Sequence, residues 1–478
     1  MKKFKRISSD CTAIIVGKKA SIDGSTIIAR DEDGYGPINP IKFIAVPAQD
    51  YDETYKSKYT GLEVPVHEHG YRYTATPQGD NSNGDWFESG INEKNVAMSA
   101  TETEQTNARV LGHDPLVPGG IAEDAMVNLV LPFINNAREG VQRLGSLVEK
   151  YGTAECNGIA FSDKDEVWYM ETGGGHQWVA MRLPEDAYAI CPNIMVIENI
   201  DFDDHENYMY APTIREFVEK HHLNPDPSTF NFRNIFGTQS EADSYYNTSR
   251  TWYGQKLFNP SIDQDPTSQD MPMVRRPEKK LAIEDVQYFL TSHYNGTEYD
   301  PFGSISSGDE KAQKKFRSIA LDRNQCSSIL QIRNDVPAEF AGVQWINLGF
   351  YCYSPYVPFY TNIKDTPANY KLAPNDFTMD SAYWMNKLLP VIIEPKFHQF
   401  VTEVNAFRDD CQSYGVGRLD AIDEHAKTLS GDELTEYLTN ESIHTADHIT
   451  EKTLQLINSL VKQSLNSSKF NFELGDNM

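Results

Sequence analysis

The sequence predicts an α+β layered fold, on three observations. Short β-prone segments cluster early in the chain, helical periodicity falls between them, and further helical stretches close it. That order differs from the strict strand–helix alternation of a parallel α/β protein.

The elements follow in order. Cys11-Thr-Ala-Ile-Ile-Val-Gly17 is apolar and β-branched, Ala20-Ser-Ile-Asp-Gly24 is turn-rich, and Ser25-Thr-Ile-Ile-Ala-Arg30 is β-prone again, so the chain opens on a β-hairpin with Cys11 at its first residue. Asn95 to Ala100, Gly158 to Phe161, Glu166 to Glu171 and Trp178 to Leu183 read as strands. The middle two are joined by the turn Ser162-Asp-Lys-Asp165, which favours antiparallel pairing of neighbours. Apolar residues at mostly helical spacing predict a helix over Ile121 to Tyr151 and another over Pro212 to His221. Asn259 to Pro277, rich in Pro, Asp and Gln, reads as a surface excursion, whereas Asp380 to Phe407 and Gly431 to Leu465 read as largely helical. No repeat or low-complexity array interrupts the pattern.

Composition narrows the function. At 478 residues the chain is long enough for a substantial buried core. It carries 43 Lys plus Arg against 69 Asp plus Glu, a formal net charge of −26, which repels a phosphate backbone and argues against a nucleic-acid partner. No apolar run reaches the roughly 18 residues that a membrane helix needs. Met1 to Arg6 are basic, but the apolar run after them ends at Lys18 and Lys19, so no export signal is read. The six cysteines, at positions 11, 156, 191, 326, 352 and 411, are far apart and form no C-x-x-C pair. This argues against a zinc site or a disulfide scaffold and favours a reducing cytoplasm.

Chemistry is expected at the hairpin. Arg30-Asp31-Glu32-Asp33 leaves the second strand where its side chains can approach the first residue of the partner strand, so one cationic and one anionic group can bracket the thiol of Cys11. Here the sequence resembles a known family. Cys11-Thr12, Asp23-Gly24-Ser25-Thr26, and Arg30 with Asp33 resemble the dipeptidase A group of N-terminal-nucleophile hydrolases, related to penicillin V acylase, bile salt hydrolase and the secernins. The resemblance continues through Gly90-Ile-Asn-Glu-Lys94, Val96-Ala-Met-Ser-Ala-Thr-Glu102, Tyr246-Asn-Thr-Ser-Arg250, Ser292-His-Tyr-Asn-Gly-Thr297 and Tyr299-Asp-Pro301.

The resemblance implies an αββα sandwich with additional C-terminal helices, a propeptide at 1–10, and a hydrolase domain over 11–478 that is mostly helical from 380 onward. It implies a cysteine-type dipeptidase whose nucleophile is Cys11. Arg30 lies near the thiolate, Asp33 holds the α-amine, Asn193 donates to the oxyanion, and Arg250 lies near the nucleophile with Trp252 and Tyr253 restricting solvent. A free amino terminus is needed because the α-amine serves as the thiol's base, so removal of residues 1–10 is a condition of activity. Glu102 departs from the acylases, which carry an amide near this point. A carboxylate there suits a substrate ammonium group, and therefore a dipeptide. An acylase and a non-enzymatic scaffold comparable to the secernins are the alternatives.

Other motifs lack required parts. His444-Thr-Ala-Asp-His448 has no Glu after its first His, His67-Glu-His69 has no third ligand, and Val16-Gly-Lys-Lys-Ala-Ser21 lacks the leading Gly of a phosphate loop. The expectation is therefore a cytoplasmic homo-oligomer that acts on dipeptides, without metal or other cofactor and without membrane or nucleic-acid partners.

Overall fold

The computed structural model describes residues 11–303 and 305–467, except the side chains of Thr101 and Glu102. The proposed propeptide at 1–10 lies outside the described residues.

Two antiparallel sheets organise the molecule. The opening hairpin forms as the β-branched runs on either side of its turn require: Thr12–Val16 (β1) pairs with Thr26–Asp33 (β2), with Ala13 opposite Arg30. These two strands lie inside a seven-stranded sheet. Tyr188–Cys191 and Val274–Arg275 complete it on one side, and Asn324–Ile332, Gly342–Leu348 and Val357–Tyr360 on the other. The six-stranded sheet runs Tyr208–Tyr210, Gln177–Arg182, Val167–Gly173, Cys156–Ser162, Ala97–Glu104 and Ser89–Ile91.

The sheets face each other, with β2 against Ala97–Glu104 and Cys156–Ser162. Helix Ala137–Tyr151 covers the six-stranded sheet. Helices Thr248–Phe258, Ile283–Leu290, Phe397–Ala426 and Gly431–Asn466 pack on the seven-stranded one. With both faces covered, β1 and β2 are buried throughout. Their side chains alternate between two apolar clusters: Ala13, Ile15 and Ile28 on the face toward the second sheet, and Ile14, Val16, Ile27 and Ala29 on the face toward the helices. This alternation decides which groups reach Cys11. The architecture is α+β, as the sequence predicts.

Differences from the sequence reading have local causes. The single helix expected over Ile121 to Tyr151 is two, Glu123–Val130 and Ala137–Tyr151. Pro132 lies in a short 3-10 turn after the first, and Asn136 starts the second by accepting a hydrogen bond from the Glu139 backbone N–H. The excursion over Asn259 to Pro277 contributes Val274–Arg275 as the sheet's edge strand. Among the described residues no helix is long and apolar enough to cross a membrane, and no disulfide joins the six cysteines, all of which are buried.

Candidate active site

Cys11 stands immediately before β1, fully buried. Because Ala13 is opposite Arg30, and positions two apart share a face, Cys11, Arg30 and Glu32 all point toward the six-stranded sheet. Arg30 Nη2 donates to Cys11 Sγ at 2.9 Å. The same guanidinium donates to Glu88 Oε2 and Glu123 Oε1, each at 2.6 Å, so it is anchored from the far side by two buried carboxylates. Glu88 precedes the edge strand Ser89–Ile91, and Glu123 begins a helix.

More acid lies close by than Arg30 neutralises. Burial, with Glu123 adding to it and Arg30 opposing, pushes Glu88 well above the usual carboxylate range. Burial raises Glu32 to about 8, with Arg30 opposing and Glu123 and Asp33 adding. Glu155 is raised to about 7 by burial and then by Glu123, whose backbone N–H it accepts at 2.8 Å. Burial opposes the charge on Arg30, but Cys11 and the surrounding carboxylates outweigh it and hold the guanidinium well above its ordinary value.

On the other face of the hairpin lies a second cationic network. Arg250, fully buried near the start of helix Thr248–Phe258, donates through Nη1 to the carbonyl oxygen of Cys11 and, at 2.8 Å, to Thr12 Oγ1. Its Nη2 donates to Asn193 Oδ1 at 2.8 Å and Asn247 Oδ1 at 2.6 Å, and its Nε to the Tyr246 carbonyl at 3.1 Å. Arg250 thus ties the backbone of Cys11 to Asn193. The register brings Asn193 there: Cys191 is opposite Ala13, so two residues further on Asn193 is level with Cys11. With its oxygen held by Arg250, the Asn193 Nδ2 is buried without a hydrogen-bond partner among the described residues.

Asp33 lies on the Arg250 side. It accepts from Arg317 and Asn324, and from the Tyr351 hydroxyl at 3.2 Å. A bulge between Asn324 and Cys326 sets Asn324 opposite Asp33. Burial raises the Asp33 carboxyl above its ordinary value, with Arg317 the main opposing charge. Thr12 pairs with Asp31, so Asp33 is two residues beyond the first pair, at the amino-terminal end of β1. The two ends of the Arg30–Asp33 segment therefore serve opposite faces of the strand, and Asp33 does not share the thiol's face.

A cleft of about 590 Å³ adjoins this arrangement, lined among others by Asn193, Asn247, Tyr246, Glu155 and Arg323. Trp252 and Tyr253 do not form its wall; both are buried in the cluster against the helices, and the ring at the cleft is Tyr246. Glu102 belongs to the strand Ala97–Glu104, opposite Gly158, and its side chain lies outside the described residues.

A model of peptidase family C69 matches residues 10–410. The chain belongs to that family. It is 47% identical to a probable dipeptidase of Latilactobacillus sakei, over 98% of both chains. It is 42% identical to probable dipeptidase B of Lactococcus lactis subsp. lactis, over the whole of both. Dipeptidase A of Lactobacillus helveticus is 40% identical over 98% of this chain and 99% of its own. Within this C69 chain, the site residues that sequence reasoning missed are Glu88, Glu123, Glu155, Arg317 and Asn324. Asn247 was signalled only as part of the Tyr246–Arg250 segment.

Proposed function

We propose that this chain is a cysteine dipeptidase whose nucleophile is the thiol of Cys11, released for work when residues 1–10 are removed. The observation that carries the reading is the 2.9 Å contact between Arg30 Nη2 and Cys11 Sγ at the very start of β1. Family membership and the names of the relatives support dipeptide hydrolysis itself.

The fixed charge of Arg30 favours the thiolate, the nucleophilic form. Once Cys11 is the first residue, its α-amine, with a reference pKa of about 7.7 to 8.0, serves as proton acceptor for the thiol. Asp33, at the amino-terminal end of β1, holds that amine. Sulfur attacks the peptide carbonyl carbon and the carbonyl oxygen becomes an oxyanion, to which the Asn193 Nδ2 donates. The tetrahedral species collapses, the C–N bond breaks, and the departing amine takes the proton held at the α-amine. Water then attacks the thioester, giving the free acid and restoring the thiol. Arg250 acts by position: its donors fix the Cys11 carbonyl and turn the Asn193 amide so that Nδ2 is the end left to the substrate.

The two facing sheets with outer helices support a sandwich of the N-terminal-nucleophile type, formed as one hydrolase domain over 11–478 with a helical part from 380. A cytoplasmic homo-oligomer and Glu102 as partner of the substrate's ammonium group complete the proposal. The test compares a chain beginning at Cys11, the same chain carrying Cys11→Ala, and the chain with residues 1–10 retained, assayed on dipeptides, N-acetyl dipeptides and penicillin V. Only the first is expected to turn over, and only on dipeptides. Full activity with residues 1–10 in place would overturn the mechanism.

A further inference from the structure

The cleft beside Asn193 is strongly acidic, with Glu104, Glu155 and Asp243 in its wall. Among the described residues that line it, Arg323 is the one with a cationic side chain. In a chain of net charge −26, this arginine is the place on the wall where an anion meets positive charge, and it also stands close enough to Asp33 to oppose the rise of that carboxyl. Its position is fixed: Arg323 Nη2 donates to the Tyr246 hydroxyl at 2.9 Å, and its carbonyl accepts from the Gly34 N–H just past β2. The Tyr246 ring in turn lies under the guanidinium of Arg250, 5.5 Å from its centroid, and Arg250 holds both Cys11 and Asn193. Arg323 is therefore tied to the reacting centre through one aromatic ring.

We infer that Arg323 receives the free α-carboxylate of the dipeptide, and so is the residue by which the enzyme reads the carboxyl end of its substrate. The inference rests on the proposed attack by Cys11 in this cleft. In a dipeptide the carboxylate is one residue, about 3.5 Å, beyond the scissile carbonyl, so a cation that shares the cleft with Asn193 reads a dipeptide if it meets the carboxylate at that reach, which the carboxylate of a longer peptide overshoots. An arginine suits the task because its planar fork offers two parallel donors to a carboxylate. Asp243, and Glu155 where the pH is above its raised value of about 7, disfavour a carboxylate elsewhere on the wall and favour the ammonium end, which orients the zwitterion.

The test uses the enzyme beginning at Cys11 and two substrates, alanyl-alanine and its C-terminal amide, with kcat and KM measured for each. The unmodified enzyme is expected to prefer the free acid by about tenfold to a hundredfold, the range of a charge-assisted hydrogen bond. Arg323→Gln is expected to abolish most of that preference, through KM for the free acid more than through kcat. Arg323→Lys should keep part of it. Tyr246→Phe, which removes the hydroxyl that steadies Arg323, should shift it in the same direction by a smaller factor and decides the matter if Arg323→Gln does not fold. Equal use of acid and amide by the unmodified enzyme, or an unchanged preference in Arg323→Gln, would overturn the assignment. Failure of the thiol mechanism is separable: it would appear as full activity in Cys11→Ala, whatever the preference for acid over amide.

Discussion

Arg30 Nη2 serves Cys11 Sγ and Glu123 Oε1 at once, at 2.9 and 2.6 Å, so the thiol and a buried carboxylate share one donor nitrogen. The cation therefore cannot leave the sulfur without also abandoning Glu123 and, through Nη1, Glu88. Replacing Arg30 by Gln is expected to raise the midpoint of thiol alkylation by about one pH unit or more, and to lower kcat/KM by about a hundredfold. Alkylation by iodoacetamide across a pH series, beside steady-state kinetics, reads both. An unmoved alkylation profile would mean that Arg30 is an anchor for the acids and not an activator of the thiol.

The acids around that cation set a pH dependence of stability. Glu32, raised to about 8, and Glu155, raised to about 7, bind protons in the folded chain at pH values where the unfolded chain has lost them. Stability contributed by such groups is present below the ordinary carboxylate pKa near 4.5 and declines as pH rises through the folded values, here across about pH 5 to 8. Melting temperature should therefore fall over that interval. Glu32→Gln, which mimics the neutral acid, should flatten the slope, and an equally steep slope in that variant would count against Glu32 as its source.

Asn193 offers a narrower test. Its Nδ2 is buried with no partner among the described residues, while its oxygen is occupied by Arg250. If that N–H meets the developing oxyanion, Asn193→Ala should lower kcat by about a hundredfold to a thousandfold with KM changed far less. A loss carried mainly by KM would assign Asn193 to substrate binding instead.

A C-terminal helix is joined to the seven-stranded sheet by a buried ion pair just past Ile332, which pairs with Thr26 at the end of β2 away from Arg30. Arg333, just past the strand Asn324–Ile332, donates to Asp423 from two nitrogens, at 2.6 and 3.2 Å, and the Tyr360 hydroxyl donates to the same carboxylate at 2.6 Å. Asp423→Ala leaves a buried arginine without its partner, which is expected to cost about 3 to 5 kcal/mol of stability in urea unfolding. The kcat of the folded fraction should stay near that of the unmodified enzyme. A variant as stable as the parent would show that the pair adds nothing to the junction.

How much of this could be read from the chain depends on sequence distance. The hairpin was legible because two β-branched runs flank a turn, and its register then carried Arg30 to Cys11 across 19 residues. Asn193 and Arg250 were reached through resemblance, and the structure joins them by a hydrogen bond. Glu88, Glu123 and Glu155 were not legible. Each comes from a separate segment, and an acid before a strand or in a first helical turn has ordinary local reasons to be there. Only the tertiary fold brings Glu88 and Glu123 onto one guanidinium, with Glu155 beside them on the Glu123 backbone N–H. Asp33 was expected beside the first residue of β1, and parity sets it on the face opposite the thiol, which the name of the residue does not reveal. The expected helix over Ile121 to Tyr151 hid its own break, since apolar spacing persists across Pro132 while the proline removes the N–H that a continuous helix needs.

The last prediction concerns the amino end of the substrate. Glu102 is in the strand Ala97–Glu104, where a register shift after Ala100 precedes it, and the next two residues, Thr103 and Glu104, reach the cleft that Asn193 and Glu155 also line. A dipeptide's ammonium group is one residue from the scissile carbonyl, and the proposed function makes Glu102 its partner. Acetylating the substrate removes the ammonium and leaves the carboxylate of the proposed site without its counter-charge. An unpaired charge in a closed site costs several kcal/mol, so N-acetyl dipeptides should be rejected by about a hundredfold or more in kcat/KM. Glu102→Gln should lose most of that discrimination through its effect on free dipeptides, while Cys11 keeps its reactivity toward iodoacetamide. If the variant still separates free from acetylated substrates as strongly as the parent, the ammonium's partner is another acid of the wall, and Glu155→Gln becomes the variant expected to lose the preference.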